Sequence, residues 1–424
     1  MSSSIHLHIG GAGVMIGDML WKLYQKEQKD TKNQKYIYSQ QDDDVYYPRV
    51  IFTDLDDRMI NEVKKNKQIF FQNSSFITGK EDASNNYFRG QTLGRVLIHQ
   101  CLESIRKEVE NIDYLDQFLI VSSISGGTGS GFTSLVLERL SEEYGKKIQK
   151  NAFVLYPSSQ ISNNLIDSYN AVFSTHMMSE YCNSVITFDN QSIYNVIDNQ
   201  IGLDYVDYTQ LNNVIAQVIS TYTGVKRHTN ICNNMIFSNM CPYPTLHFII
   251  PSYGLLRSVN NDIKRENQNE LLKILIKKES KLFQCSINSA YLSTTLIYRS
   301  KRNIDNIFFR QNENQILNIQ HQFNNNSNLL YCESSNYQIL SELAELKSTG
   351  VFLSNDAAIS KELENLGNKF DQLYAKRAFV HWFVGEGLES GELTSAREDL
   401  AALIKDYQDF TNPISQAYFD EQYF

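Results

Sequence analysis

The stretch that decides the fold is Phe118-Leu-Ile-Val-Ser-Ser-Ile-Ser-Gly-Gly-Thr-Gly-Ser-Gly131, which runs into the segment from Phe132 to Tyr144. Its first four residues form an apolar strand pattern, and Leu135, Leu137 and Leu140 then recur with helical spacing. Glycines let a ligand approach the backbone closely, and the start of a helix carries a partial positive charge. The segment therefore predicts a strand, a phosphate-binding turn and a helix, with an ordinary flexible turn as the alternative.

Two further units of the same kind lie nearer the start of the chain. Residues 4–9 alternate in the manner of a strand and run into the glycine turn 10–13, after which residues 14–24 have a helical pattern. Residues 50–52 form a short apolar strand that ends at Asp54. Alternating strands and helices imply an α/β fold with a mainly parallel sheet and helices on both faces. Ligands of such sheets bind at the carboxyl ends of the strands, where all three turns fall.

The rest of the chain divides by composition. The polar run 25–44 has no periodicity and is expected to be a surface loop. Pro242 and Pro244 interrupt the α/β pattern, and a capping-box signal at Ser395-Ala-Arg-Glu398 introduces a helix near the C-terminus. The pattern predicts three parts: an α/β domain with the phosphate-binding turn over 1–225, an intermediate α/β domain over 226–355, and C-terminal helices with a short tail over 356–424.

Composition excludes several classes of protein. The 424 residues are 42% hydrophobic, which is enough for a sizeable core. A formal net charge of −9 argues against general nucleic-acid binding, because no broad basic face is available for phosphates. The six cysteines are scattered without a Cys-x-x-Cys pair, so we expect buried or free thiols rather than a zinc site. Neither a secretory leader nor a run of about 18 apolar residues is found, so we expect no membrane span and a cytoplasmic protein.

Two better-known phosphate motifs do not match. The P-loop needs a glycine, four residues and then Gly-Lys-Ser or Gly-Lys-Thr, but Gly79-Lys80 has Ser74 at the first position and Glu81 at the last. The dinucleotide motif needs three glycines, and the stretch 11–16 lacks the third, with Gly17 one residue late. A P-loop is therefore excluded, and an NAD-dependent oxidoreductase is kept as a remote alternative.

Two separate segments resemble one known family. The turn Gly126-Gly-Thr-Gly-Ser-Gly131 and its helix resemble the tubulin signature loop in its α-tubulin version. Lys376-Arg-Ala-Phe-Val-His-Trp-Phe-Val-Gly-Glu-Gly387 and Ala396-Arg-Glu-Asp-Leu-Ala-Ala-Leu403 resemble the C-terminal helices of α-tubulin. The chain therefore looks like a divergent, α-like member of the tubulin superfamily. The resemblance implies a Rossmann-like parallel-sheet GTPase domain, a second α/β domain and a C-terminal helical layer.

The resemblance also implies a guanine-nucleotide site for GTP or GDP. Its phosphate loops would contain Gly10, Gly11, Ala12, Asp82, Ala83, Asn85, Ser123, Gly126, Gly127, Thr128 and Gly129. Its ribose contacts would be Ser162, Asn163 and Asp167, and its base contacts would be Asn190, Tyr208 and Asn212. Mg²⁺ would be held by Asp54 and Asp56 through its waters. The alternatives are an acidic strand end that faces water and ordinary surface asparagines.

Several site positions depart from the family pattern. Gly11 and Met15 stand where tubulins have glutamines, and Asn163 stands where they have a threonine. Ser125 replaces the first glycine of the signature loop, and Asp56 replaces the usual glutamate. We expect these changes to lower the affinity for nucleotide or the preference for guanine.

The resemblance implies that the subunit lacks the residue that triggers hydrolysis on a neighbour. In tubulins, a helix at the base of one subunit presents an acid to the nucleotide of the next. In this chain that helix is expected from about Asn230 to Met240, and the acidic positions fall on Met235 and Cys232. A thioether can neither accept a proton from water nor orient it through charge. We therefore assign no catalytic residue and expect the chain to hold its own GTP structurally.

Two regions involved in polymer contacts are also altered. The lateral-contact loop of tubulins falls on 252–269, where Ile263-Lys264 replaces the usual pair of an aromatic residue and a histidine. The tail 412–424 has only Asp420 and Glu421 as acids, so we expect reduced binding of proteins that read an acidic tail. The leading hypothesis is a GTP-binding structural subunit of cytoplasmic, microtubule-type polymers that pairs longitudinally with a β-like tubulin. The alternative is a non-polymerising regulator that caps or sequesters tubulin.

Overall fold

Strands and helices alternate along the chain, as the sequence pattern predicts. The computed structural model describes residues 2–28, 33–42, 45–65, 69–158, 164–200, 206–229, 233–256, 274–285, 290–300, 327–333, 348–389 and 391–411. The strands are β1 (Ser2–Ile9), β2 (Tyr38–Asp42), β3 (Val45–Pro48), β4 (Val50–Asp54), β5 (Phe76–Thr78), β6 (Tyr114–Ser123), β7 (Gln149–Tyr156), β8 (Ser184–Asp189), β9 (Phe248–Leu256), β10 (Tyr291–Ser300), β11 (Ser327–Glu333) and β12 (Ser348–Asp356). The helices are α1 (Gly10–Glu27), α2 (Arg58–Lys65), α3 (Tyr87–Glu110), α4 (Thr133–Tyr144), α5 (Asp167–Tyr181), α6 (Asn190–Gln200), α7 (Tyr208–His228), α8 (Asn233–Met240), α9 (Ile359–Ala375), α10 (Val380–Gly385) and α11 (Glu392–Phe410).

Ten of the described strands form a single sheet in the order β11-β10-β12-β9-β8-β7-β6-β1-β4-β5. From β9 to β5 the neighbouring strands are parallel, whereas β12 is antiparallel to both β9 and β10. The strands β2 and β3 form a separate antiparallel hairpin. The mainly parallel sheet is therefore confirmed. Because β6, β1 and β4 are neighbours, the turns that follow them meet at one edge.

Both faces of the sheet are covered by helices. Along β1, Ile5, Leu7 and Ile9 point into one hydrophobic cluster, and the intervening His6 and His8 are buried on the other face. The first cluster is completed by α3, α4, α5, α9 and α11, and a second cluster by α1, α2, α6, α7 and α8. Strands buried on both faces explain the nearly continuous apolar runs of the parallel strands.

The segment 25–44, predicted as a surface loop, is partly helix and strand. α1 continues to Glu27, whose carboxylate is fully buried and lies 2.8 Å from the guanidinium of Arg227. Tyr36 and Tyr38 are buried, and β2 pairs with β3. The surface-loop prediction is wrong for these residues, because a distant arginine neutralises the buried acid and the aromatic rings pack into the core.

The capping box predicted at Ser395–Glu398 is also wrong. Gly391 precedes the first residue of α11 with a φ of +103°, and α11 begins at Glu392. The carboxylate of Glu392 accepts a hydrogen bond from the backbone N–H of Glu389 at 2.9 Å. Ser395 lies inside the helix, because its own N–H already donates to the carbonyl oxygen of Gly391. The local motif therefore lies one turn after the true start.

The predicted three-part division stays a prediction. The sheet continues across the boundary at 225, because β8 pairs with β9, and the helices α9, α10 and α11 lie in the predicted C-terminal part. Residues 252–256, predicted to begin a loop, belong to β9 instead, and the pair Ile263-Lys264 lies outside the described residues. No described helix combines the length and the apolar character that crossing a bilayer requires.

Candidate functional site

The turns after β1 and β6 meet at the carboxyl edge of the sheet. Gly10 opens α1 with a φ of +76°, which glycine adopts without strain. A Cβ atom at Gly10 would lie 3.0 Å from the backbone nitrogen of Gly129 and 3.7 Å from the carbonyl carbon of Thr128. Gly11 and Ala12 continue the first turn of α1. The two turns therefore present one joint backbone surface.

The turn after β6 is stabilised from within. β6 ends at Ser123, and a turn of π-helix over Thr128–Phe132 leads into α4. The hydroxyl of Ser130 donates to the carbonyl oxygens of Gly126 at 2.5 Å and of Gly127 at 3.2 Å. This arrangement leaves a helix start, with its partial positive charge, at the edge of the sheet.

A buried asparagine, which the sequence pattern does not single out, ties two of the loops together. Asn170 on α5 is fully buried, and its Nδ2 atom donates to the carbonyl oxygens of Asn85 at 2.7 Å and Ser125 at 2.8 Å. Its Oδ1 atom accepts a hydrogen bond from the N–H of Tyr87 at 3.2 Å. The amide thereby sets the spacing between the loops. The signal in the sequence that could have identified Asn170 is an amide residue within a helical stretch that is otherwise expected to be buried.

The loop at 81–85 packs against the turn after β6. Ser84 and Asn85 have φ values of +49° and +56°, in the left-handed region that asparagine tolerates better than most residues. The Cβ atom of Ala83, which is fully buried, would lie 2.8 Å from a Cβ atom at Gly127. Asp82 is exposed on the same loop. These contacts bring the predicted phosphate residues of the two loops together.

The acidic side chain at the end of β4 lies against the first glycine turn. Asp54 is only 4% exposed, and its Oδ2 atom would lie 3.7 Å from a Cβ atom at Gly11. Burial raises the pKa of Asp54 to about 6, with the carboxylates of Asp56 and Asp82 adding to the shift and backbone N–H groups opposing it. Like charges repel, so a phosphate bound beside Asp54 requires a cation nearby.

Asp56, the second predicted metal ligand, is engaged by a cation of the chain itself. Its Oδ2 atom accepts a hydrogen bond from Arg58 Nε, and its Oδ1 atom accepts the backbone N–H of Arg58 at 3.2 Å. The hydrogen bond from the Arg58 side chain lowers the pKa of Asp56. Within the described ranges, no group of three or more His, Cys, Asp and Glu side chains is arranged to hold a metal ion. The predicted Mg²⁺ site at Asp54 and Asp56 stays a prediction, because a carboxylate that accepts two hydrogen bonds keeps lone pairs for a cation or its waters.

The predicted sugar and base residues stand at the starts of helices. Asp167 and Asn190 are the first residues of α5 and α6, which follow β7 and β8. Tyr208 is the first residue of α7, and Asn212 follows one turn later. α6 packs against α7, so Asn190 and Tyr208 lie on neighbouring helices. Tyr208 is 66% exposed, which leaves its ring free to stack on a flat ligand.

Comparison with known proteins decides the family. A family model described as the Tubulin/FtsZ family GTPase domain matches residues 3–198. The chain is 34% identical to the tubulin alpha chain of Dictyostelium discoideum over 99% of both chains. It is 35% identical to the tubulin alpha-1B chain of Physarum polycephalum, over 96% of this chain and 97% of that one. The chain belongs to the tubulin family. Because these relatives are α chains, the predicted α-tubulin-like character and the tubulin-like α/β fold are confirmed.

Membership of a GTPase-domain family implies that this tubulin binds a guanine nucleotide. The individual contacts predicted from the sequence remain predictions. Ser162 and Asn163 of the sugar loop lie outside the described residues, as does Cys232. Met235 lies in α8, which packs against α7 and β10. Its presence in place of an acid is a feature of the sequence, and the consequence for hydrolysis stays a prediction.

A cavity of about 330 Å³ lies beside the end of β7 in this tubulin. Its described lining includes Tyr156, Asp167, Asp189 and Glu362, but none of the predicted phosphate-loop residues. Burial raises the pKa of Asp189 and that of Glu362, and the two carboxylates repel each other. The cavity therefore lies beside the predicted sugar residue Asp167 and is separate from the phosphate loops.

Proposed function

We propose that this tubulin is a guanine-nucleotide-binding structural subunit of microtubule-type polymers. The observation that carries the proposal is the convergence of four loops at one sheet edge, after β1, β4 and β6 and before α3. Gly10 lies against Gly129, Gly11 lies beside Asp54, and Asn170 joins the loop before α3 to the turn after β6. Glycine backbones and a helix start at one edge are suited to binding phosphates. The alternative of an NAD-dependent oxidoreductase has no comparable support.

The proposed nucleotide lies with its phosphates on the backbone of Gly10–Ala12 and Gly126–Gly129. Its ribose lies toward Asp167, and its base lies between Asn190 and the ring of Tyr208, with Asn212 reading the base edge. Amide side chains both donate and accept hydrogen bonds, which suits the edge of guanine. The glycine at position 11 offers no side chain to this ligand, so the backbone supplies most of the contacts there.

The proposed partner is a β-like tubulin that covers the nucleotide. On α10, Trp382 is 50% exposed and Val384 is 57% exposed, and we call these two residues the α10 patch. The patch is joined to the nucleotide loops, because Asn86 Nδ2 donates to the carbonyl oxygen of Trp382 at 3.1 Å. Exposed large apolar side chains beside a functional site are typical of a surface that binds another protein.

The first experiment identifies the nucleotide. Purified full chain is denatured, and the released nucleotide is separated by chromatography and compared with the molar amount of protein. We expect one guanine nucleotide per chain. A protein that releases none and binds no added GTP contradicts the proposed site, and a released NAD would support the oxidoreductase alternative instead.

The second experiment tests the partner. We expect the chain to form a complex with a β-like tubulin in sedimentation. Trp382→Glu should weaken that complex at least tenfold, because a charge would replace an apolar contact that is buried in the complex. Phe70→Glu, which changes an aromatic residue that is 73% exposed and outside the α10 patch, is the matched control. Filaments that contain both proteins support the structural subunit, whereas a complex that stops filament growth supports the capping or sequestering alternative.

We also propose that the chain does not trigger hydrolysis on its neighbour, because Met235 stands where the family has an acid. The test compares phosphate release from the partner's GTP in polymers made with the original chain and with Met235→Glu. We expect faster release with the variant. Equal and rapid release with both chains would contradict the proposed loss.

A further inference from the structure

An arginine at the start of α3 contacts two segments that are far apart in the chain. On one side, the guanidinium of Arg89 donates from Nε to the carbonyl oxygen of Asp82, in the loop at 81–85, at 3.1 Å. On the other side, its Nη1 atom lies 3.4 Å from the carboxylate of Glu386, the C-cap residue of α10. Arg89 therefore joins a loop that is predicted to bind phosphate to the helix that carries the α10 patch.

The neighbours of Arg89 on α3 hold α10 through its backbone. Asn86 Nδ2 donates to the carbonyl oxygen of Trp382 at 3.1 Å, and Thr92 Oγ1 donates to that of Glu386 at 3.1 Å. Asn86 is the residue that follows the loop at 81–85 and caps α3. The position of α10 is therefore tied to the same short stretch of α3 that follows the phosphate loop.

The loop and the segment before α10 both contain residues in a strained backbone conformation. Ser84 and Asn85 in the loop have φ values of +49° and +56°. Arg377 and Phe379, just before α10, have φ values of +47° and +61°. Such values cost free energy in residues other than glycine, so they persist only where the surrounding contacts hold them. A ligand that stabilises one segment lowers the cost of ordering the other, because both depend on donors from the start of α3.

Exposure indicates which contacts of Arg89 matter most. The side chain of Arg89 is 34% exposed and that of Glu386 is 28% exposed, whereas a third partner, Glu81 at 3.4 Å, is 66% exposed. Ion pairs that are open to solvent contribute little, so the contact with Glu81 is the weakest of the three. The contacts with Asp82 and Glu386, which face the loop and α10, carry the role of Arg89.

We propose that Arg89 is a positioning residue that couples the loop at 81–85 to the α10 patch, so that nucleotide and partner each strengthen the binding of the other. This coupling rests on the proposed nucleotide site and the proposed partner. Arg89 exerts it by holding the backbone of the loop and the end of α10 at a fixed spacing. Linkage makes the effect reciprocal: the factor by which the nucleotide raises the affinity for the partner equals the factor by which the partner raises the affinity for the nucleotide.

The test compares the affinity for GTP of the original full-length chain, Arg89→Gln, Glu386→Gln and the double variant. We expect the affinity to fall about three- to tenfold in Arg89→Gln, because the charge-assisted hydrogen bond to the loop is lost. Glu386→Gln should also weaken GTP binding, by a smaller factor. Its charge alone predicts the opposite sign, since removal of a negative charge favours an anionic ligand. The double variant should bind GTP as Arg89→Gln does, because both changes act through one contact.

A second readout is the affinity of the chain for a β-like tubulin, measured in sedimentation with saturating GTP and without nucleotide. We expect GTP to raise this affinity for the original chain, and we expect Arg89→Gln to lose most of the increase. The same increase in both chains would overturn the coupling.

Arg106→Gln and Glu110→Gln are the matched controls, because Arg106 lies on the same helix and also bridges two glutamates, Glu103 and Glu110, away from the loop and α10. We expect neither variant to change the affinity for GTP. Unchanged or tighter GTP binding by Glu386→Gln, or additive losses in the double variant, overturns the coupling and leaves the nucleotide site intact. Failure of the original chain to bind GTP overturns the proposed function and the coupling together.

Discussion

At the scale of single residues, a few buried polar side chains set the geometry of the site. Asn170 is the clearest case, because one amide makes three hydrogen bonds to three different backbone groups of the nucleotide loops. A buried amide of this kind stabilises a structure only while all of its partners are present. One of these partners is the carbonyl oxygen of Asn85, a residue with a positive φ.

Asn170→Ala should loosen the loops. We expect the free energy of unfolding to fall by about 2–3 kcal/mol, because backbone groups lose their buried partner, and we expect weaker binding of guanine nucleotide. Urea unfolding and nucleotide titration measure the two effects. Asn183→Ala is the control, because Asn183 also accepts a backbone hydrogen bond, from Lys150, but lies outside the loops. Equal nucleotide binding by Asn170→Ala and the original chain would contradict this role.

Two buried histidines make stability depend on pH. Burial, with smaller contributions from His8 and Arg227, lowers the pKa of His6 well below its usual 6.5. Burial also lowers the pKa of His8 to about 3, against an opposing backbone hydrogen bond. The unfolded chain therefore binds more protons below pH 6.5. The free energy of unfolding should have its full value above pH 6.5. It should fall as the pH drops from 6.5 toward the folded-state pKa values of the two histidines.

His6→Leu should reduce this dependence. Between pH 7.5 and 5.5 the original chain should lose about 1.4 kcal/mol of unfolding free energy for each of the two histidines, and the variant should lose about 1.4 kcal/mol less. Urea titrations at the two pH values measure the difference. His99→Leu, at an exposed position on α3, is the control. An unchanged pH difference for His6→Leu would show that the buried ring is not the cause.

At the scale of elements, the site depends on how closely α3 crosses the turn after β6. A Cβ atom at Gly90 would overlap the carbonyl oxygen of Gly127, and one at Gly131 would overlap that of Tyr87. The backbones are therefore in direct contact at both positions. A side chain at either glycine would push α3 away from the turn, and the loop at 81–85 that leads into α3 would move with it.

Gly90→Ala should force these two elements apart. We expect a loss of more than about 2 kcal/mol of unfolding free energy, because both contacting groups are backbone and cannot change rotamer. Gly385→Ala is the matched control, because a Cβ atom there would meet no atom within 4 Å. Thermal and urea unfolding provide the measurement. Similar stabilities for the two variants would contradict the close-contact argument.

At the scale of the whole molecule, one buried ion cluster joins both sides of the predicted domain boundary. Glu27 at the end of α1 contacts Arg227 on α7 at 2.8 Å and Arg299 on β10 at 2.7 Å, and all three are fully buried. Burial opposes ionisation of Glu27, but the two arginines outweigh it and lower the pKa of its carboxyl group. Together with the continuous sheet, the cluster couples the two α/β parts.

Glu27→Gln should destabilise the molecule as a unit. We expect a loss of about 3–5 kcal/mol, because two buried guanidinium groups lose their counter-charge. Glu103→Gln, in an exposed pair with Arg106, is the control and should change stability by less than about 1 kcal/mol. Urea unfolding followed by circular dichroism and by tryptophan fluorescence should give coincident transitions for the original chain. Two separate transitions would indicate that the predicted domains unfold independently.

The sequence by itself determined the parts of this protein that depend on neighbouring residues. The strand at 118–121, the glycine turn and the helix to Tyr144 follow from periodicity, because burial of one helix face or of a strand imposes a local pattern. The signature turn and the C-terminal segments pointed to the tubulin family, and the comparisons confirmed it. The capping box predicted at Ser395 shows the limit of local patterns, because its residues match the motif of a helix start although they lie one turn inside the helix.

Only the tertiary structure decided which polar groups are buried, and with what partners. The sequence places Glu27 in a polar run predicted to be a surface loop, because its two arginines lie 200 or more positions away in the chain. Asn170 gave no ligand-like signal, since its three partners belong to loops that are 45 or more residues distant. Arg58 is near Asp56 in sequence, yet only the turn geometry directs its side chain onto the carboxylate. The physical reason is the same in each case: the cost of burying a polar or charged group depends on the partner that the fold brings to it.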